Sequence, residues 1–80
     1  MKIKILAFGI AKDILQTNTL EREAVEGLTV GALKEDLMQQ YAEFQRLKSL
    51  SLAVNEEYRS DDYIIEAGDE VVLIPPVSGG

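Results

Sequence analysis

Glu70-Val71-Val72-Leu73-Ile74 runs directly into Pro75-Pro76-Val77-Ser78-Gly79-Gly80, and the rest of the sequence is best understood from this stretch. The first five residues are an apolar run of strand type. Two prolines end it, because proline has no amide hydrogen for a sheet ladder and disfavours helix. The four residues from Val77 to Gly80 reach about 13 Å when extended. They read as a thin arm with a stiff base and a tip without side chains, whose one reactive group is the Gly80 carboxylate. A frayed end also leaves a glycine pair. The proline base behind an apolar strand, with no polar tail after Gly80, favours an arm suited to a narrow tunnel in another protein. Glycine lets backbone approach closely in such a place.

The strand alternates. Val71 and Leu73 share one face, while Glu70, Val72 and Ile74 share the other, which the glutamate marks as the outer one. Lys2 to Gly9 repeats this design at the opposite end of the sequence. Ile3, Ile5 and Ala7 point into a core; Lys2, Lys4, Leu6 and Phe8 point outward, and Gly9 closes the strand. Two strands thus independently put large apolar residues, Phe8 and Ile74, on faces shared with charges.

Between them the chain changes period. Ile10 to Asn18 is a connection in which Ala11 to Leu15 can form a helical turn with Ile14 and Leu15 tucked beneath it, followed by turn chemistry at Thr17-Asn18. Thr19 to Val25 reads as a polar second strand, suited to a sheet edge where charges resist stray pairing. Gly27 ends it. Thr29 is placed to cap a helix, and Leu28 and Leu33 fall at the spacing of a hydrophobic staple. Val30, Leu33, Leu37, Tyr41 and Phe44 form one apolar stripe, with Met38 filling its edge. The helix is expected to fray between Gln40 and Phe44, and Arg46 to Leu50 is a connection. Ser51 to Asn55 reads as a third strand. Glu56 to Asp62 reads as a polar turn carrying Tyr58, and Tyr63-Ile64-Ile65 as a brief strand or helical turn. Ala67-Gly68-Asp69 is a tight turn into the last strand.

Composition narrows the function. Eighty residues make one domain. With 46% apolar residues the chain can bury a small core without staples. The absence of cysteine removes disulfides, thiolate metal sites and a cysteine nucleophile, and the absence of histidine removes the usual general base. A net charge of −6 argues against nucleic acid and anionic membrane and for a basic partner surface. Nothing approaches a membrane span, and Met1 to Lys4 leads into a strand rather than a signal peptide, so the expected location is cytoplasmic. Glu56, Glu57, Asp61 and Asp62 could hold a hard cation, but without the spacing of a known loop they read as a solvated turn, and no metal site is expected.

Strand, strand, helix, strand, short strand, strand is the β-grasp pattern of ubiquitin. The expected fold class is therefore α+β: a mixed sheet packed on one main helix, with a flexible C-terminal Gly-Gly tail. In such a fold the first and last strands are central and parallel, which suits the most apolar segments. The expected boundaries are a domain over 1–74 and an extended tail over 75–80. Periodicity by itself reaches only a small sheet-and-helix domain and leaves the strand order open.

Residues 68 to 80, Gly-Asp-Glu-Val-Val-Leu-Ile-Pro-Pro-Val-Ser-Gly-Gly, resemble the ending of the molybdopterin synthase small subunit family, the MoaD-type sulfur carriers. Lys4 to Phe8 resembles that family's first strand. Leu28-Thr29-Val30 and Val54-Asn55 match as well, so the resemblance spans essentially the whole length. It implies a sulfur carrier of molybdenum cofactor biosynthesis, working in a heterotetrameric synthase and bringing no catalytic side chain of its own. Its partners would be the large synthase subunit, an E1-like adenylating enzyme and a persulfide sulfur donor. No cofactor would be bound by the chain itself, because ATP and Mg²⁺ are used by the activating partner.

On the same resemblance Gly80 is the adenylated and thiocarboxylated group, and Gly79, Ser78, Val77, Pro76 and Pro75 thread and aim the tail. Phe8, Tyr58 and Ile74 are candidates for the docking patch, with packing inside the monomer as the competing reading of each. Three alternatives stay open. One is the same chemistry with another recipient, in thiamine synthesis, tRNA thiolation or tungsten cofactor assembly. Another is a ubiquitin-like modifier that joins Gly80 to lysine, and the third is a binding module with an inert tail.

Overall fold

The computed structural model describes residues 1–47 and 50–75. Five strands form one mixed sheet in the order β2-β1-β5-β3-β4. They are β1 (Lys2–Ala7), β2 (Thr19–Glu23), β3 (Ser51–Val54), β4 (Glu57–Tyr58) and β5 (Glu70–Ile74). Two helices, α1 (Gly9–Leu15) and α2 (Val30–Gln40), and a 3₁₀ turn over Ala42–Arg46 complete the fold.

The first and last strands lie side by side and run parallel, with Ile5 opposite Val71 and Ala7 opposite Leu73. β2 folds back antiparallel on β1, and β3 runs antiparallel to β5. β2 is an edge strand, as its charges led us to expect, though its ladder stops at Glu23 rather than Val25. Its Arg22 reaches across to Asp36 and Gln40 on α2, tying the edge to the helix.

The core lies on one side of the sheet. Ile3, Ile5, Ala7, Val71 and Leu73 meet the helix stripe of Val30, Leu33, Leu37 and Phe44, and all are essentially buried. Thr29 caps α2 as its type suggests: its hydroxyl oxygen accepts from the Ala32 amide at 3.1 Å. Removing that acceptor in Thr29→Ala is expected to lower stability by about 1 kcal/mol, read as a fall in denaturant midpoint with unchanged slope. The helix stops at Gln40 because Tyr41 turns extended, and the 3₁₀ turn then brings Phe44 back into the core. Tyr41 stays at the edge of the stripe and meets Phe44 edge-on, with ring centroids 6.0 Å apart.

Three sequence expectations need correction. Gly9 does not merely close β1; with φ of +57° it opens α1, a conformation glycine adopts without strain. The short strand lies at Glu57–Tyr58, inside the stretch read as a turn. Tyr63 to Ile65 is neither strand nor helical turn but makes a single bridge, Ile64 to Thr29, that holds the loop against the start of α2. The physical reason is hairpin register. Asn55 and Glu56 form a two-residue loop with positive φ, which sends the chain straight back along β3 so that Tyr58 pairs with Ala53.

Candidate functional site

All of the helical packing is on one face of the sheet, so the other face stays open. Its centre is a row fixed by strand register: Thr19, Leu6, Val72, Ala53 and Tyr58, one residue from each strand. Residues directly opposite across a ladder point the same way. The row above pairs Ser51 with Ile74, and Phe8 follows the end of β1 beside it. The row below is charged, with Lys4 between Glu21 and Glu70. The open face is thus apolar towards the end where β5 gives way to Pro75, and ionic towards the other.

Phe8 is 59% exposed and Tyr58 70% exposed, while Ile74 is half-buried. None of the three belongs to the helix-side core or packs against it. Phe8 and Ile74 are neighbours by register. Tyr58 stands three strand positions from β1, on the order of 14 Å away at normal strand spacing. Leu6, Val72 and Ala53 fill the interval, so the three candidates mark the borders of one surface rather than a cluster.

Ala53 is the buried residue of this surface that the sequence did not assign. It is 5% exposed, yet it stands outside the helix-side core. Leu52-Ala53-Val54 is apolar throughout and so shows no alternation; only the pairing of Ala53 with Val72 and Tyr58 reveals its face.

The hairpin that carries Tyr58 is held by Asp69, a buried carboxylate. Its Oδ1 accepts from the Asn55 side-chain amide at 3.0 Å and its Oδ2 from the Glu66 backbone amide at 2.8 Å. Asn55 Oδ1 in turn accepts from the Glu70 amide at 3.1 Å. The turn before β5, the start of β5 and the β3–β4 loop are thereby locked together. Asp69→Ala removes both acceptors and is expected to cost about 2 kcal/mol, a fall in Tm of about 10 °C for a domain of this size. Thermal unfolding followed by circular dichroism checks it.

The acidic stretch after the hairpin is occupied by local partners. Glu57 pairs with Arg59, Asp61 with Lys34 at 2.7 Å, and Asp62 accepts from the Ser60 hydroxyl. Arg59 also sits over the Tyr63 ring, 4.7 Å from its centroid. Among the described residues no group of three or more acidic side chains could hold a metal ion, and no helix is long and apolar enough to cross a membrane.

Of the expected tail, Pro75 is described and half-buried at the end of β5. Pro76, Val77, Ser78, Gly79 and Gly80 lie outside the described residues. The structure therefore gives the direction in which β5 delivers the chain, along the centre of the sheet and past Phe8.

Comparison with known proteins agrees with this architecture. The family model described as "ThiS family" matches residues 5–80. A Chlamydomonas reinhardtii relative named "Molybdopterin synthase sulfur carrier subunit" is 36% identical over 87 residues, covering 100% of both chains. A solved structure from Pyrococcus furiosus, described as a putative molybdopterin converting factor subunit 1, superposes with a TM-score of 0.86 at 27% identity, over 96% of this chain and 99% of that one. A chain from the Helicobacter pylori complex of molybdopterin-converting factor subunits 1 and 2 shares the fold with a TM-score of 0.67 at 22% identity, covering 100% of each. The fold is thus the ubiquitin-like β-grasp, and the chain belongs to the ThiS family of small proteins.

Proposed function

We propose that this protein is the sulfur carrier of a molybdopterin synthase. The observation that carries the proposal is the end-to-end likeness to a relative named as that carrier. The geometry supports it in two ways. β5, the strand that leads to Gly80, is flanked on both sides by other strands and so gives the tail a rigid base. The apolar half of the open face lies beside that base, where a partner receiving the tail can also grip the body.

The chemistry needs no side chain of this chain. The Gly80 carboxylate attacks ATP on an E1-like, Mg²⁺-dependent partner, releasing pyrophosphate and leaving an acyl adenylate. A persulfide sulfur forms a bond to the acyl carbon as AMP departs. A thiol then cleaves the sulfur–sulfur bond and leaves a thiocarboxylate on Gly80. In the large subunit that sulfur forms a bond to a carbon of the cyclic pyranopterin precursor as a carbon–oxygen bond there breaks, and water then hydrolyses the resulting thioester, leaving the sulfur on the product and returning the Gly80 carboxylate. Tethering to a docked body gives it a high effective concentration there. Gly79, Ser78, Val77, Pro76 and Pro75 thread and aim the tail, which we take as residues 75–80 beyond a 1–74 domain. Phe8, Tyr58 and Ile74 border the docking surface. For the partner, the reading draws on the H. pylori structure, described as a complex of subunits 1 and 2 of molybdopterin-converting factor. The reaction belongs in the cytoplasm, where ATP and reduced thiols are available.

Intact-mass measurement after incubation with the activating enzyme, ATP, Mg²⁺ and a persulfide donor tests the proposal. The expected result is a gain equal to exchange of one oxygen for sulfur, located in the C-terminal peptide. An unchanged mass, or appearance of the chain on lysines of other proteins instead, would overturn it.

A further inference from the structure

Among the described residues three other than glycine have positive φ: Gln16, Asn55 and Glu56. Two of them have local reasons. Gln16 ends α1, its amide donating to the Lys12 carbonyl at 2.8 Å. Asn55 is a residue type that tolerates this region, and its side chain is fixed by Asp69 and Glu70. Glu56 has neither. Its φ is +71°, at the second position of a two-residue hairpin, where glycine is the favoured residue. Its side chain is exposed and makes no hydrogen bond or ion pair among the described residues.

The nearest charges on the sheet each stand across a ladder from an opposite one. On the open face Lys2 stands opposite Glu23, and Lys4 stands between Glu21 and Glu70. At the β4 edge Glu57 is paired with Arg59. Glu56 is therefore an unmatched charge at the lower rim of the surface bordered by Tyr58, kept in a conformation that disfavours it. The hairpin sets this backbone, but nothing in the fold accounts for a glutamate there in place of glycine, and a residue kept at such a position points to a use outside the fold. At the rim of an apolar interface that use is charge recognition, which sets association rate and register.

We infer that Glu56 is a specificity residue of the docking face, meeting a cationic side chain, arginine or lysine, of the large synthase subunit. This rests on the docking role proposed above. The acidic chain, at −6, makes a basic counterpart the complementary one.

Association kinetics with the large subunit and with the activating enzyme, at several salt concentrations, test the inference on the full-length chain. Glu56→Gln keeps the size and backbone demand but removes the charge. It is expected to slow association with the large subunit about threefold at low salt and to flatten its salt dependence. Glu56→Gly is expected to slow association similarly while its Tm stays level or rises by a few degrees, because the left-handed strain is relieved. Wild-type kinetics for Glu56→Gln overturn the inference, as does an effect confined to the activating enzyme. A fall in Tm for Glu56→Gly overturns it too, since the glutamate would then serve the fold. Phe8→Asp, measured in parallel, separates the two levels. If it leaves association intact, the docking face itself is wrong; if it disrupts association while Glu56→Gln does not, only the role of Glu56 fails.

Discussion

Deleting Gly80, or adding one residue after it, abolishes sulfur transfer and leaves the melting temperature where it was. Among the described residues every buried apolar side chain lies between Ile3 and Leu73, so the core is built without that position. The proposed chemistry depends on it entirely. An added residue turns the Gly80 carboxylate into a peptide carbonyl, which cannot attack ATP. A deletion leaves a carboxylate one residue short, about 3.3 Å from where both partner sites need it. Misplacement on that scale removes most of the benefit of tethering. A side chain at Gly79 is expected to leave the fold equally intact and to clash in the receiving tunnel. Intact mass and product formation with the large subunit are the measurements. An extended variant that supports cofactor synthesis without being trimmed would show the mechanism to be wrong.

Phe8→Asp is expected to lower affinity for the large subunit by about 2 kcal/mol or more, roughly thirtyfold, because it sets an unpaired carboxylate where the proposed docking surface has an aromatic anchor. Its effect on stability is small for two reasons. Phe8 is 59% exposed and lies outside the core, so little burial is lost. It is also the residue before α1, in the extended conformation of a helix cap and without a side-chain cap of its own. Aspartate is among the best residues there, and its carboxylate can accept from the first-turn amides, offsetting the lost packing. The variant separates docking from folding cleanly. A large fall in Tm with unchanged affinity would make Phe8 a core residue instead.

How far the sequence could be read depended on whether a signal was local. The alternation in Lys2 to Phe8 and Glu70 to Ile74 was local, and each residue lies on the face that its pattern assigned. The same holds for the capping threonine and the stripe of α2. Features set by pairing were hidden. β4 consists of two residues in a polar stretch, and only its register with β3 makes it a strand. Ala53 joined the open face for the same reason. Asp69 looked like turn chemistry; its burial and its hold on Asn55 exist only once two loops far apart in sequence meet. Glu56 was read with Glu57, Asp61 and Asp62 as one solvated group. The structure separates it from them, since each of the others has a partner.

The central place of β5 also determines when the molecule becomes whole. β2 with β1, and β3 with β4, are hairpin or near-hairpin pairings that can form early from local chain. β5 must join them, and its pairing with β1 brings together residues more than sixty positions apart. Closing so long a loop costs about 4 kcal/mol of chain entropy before the ladder repays it. Late closure is the kinetic signature of such non-local pairings. The strand that completes the sheet is also the strand that aims the tail. A chain still assembling therefore has no fixed base for the residues after β5, and a partner that grips the body would receive only carriers that have finished folding.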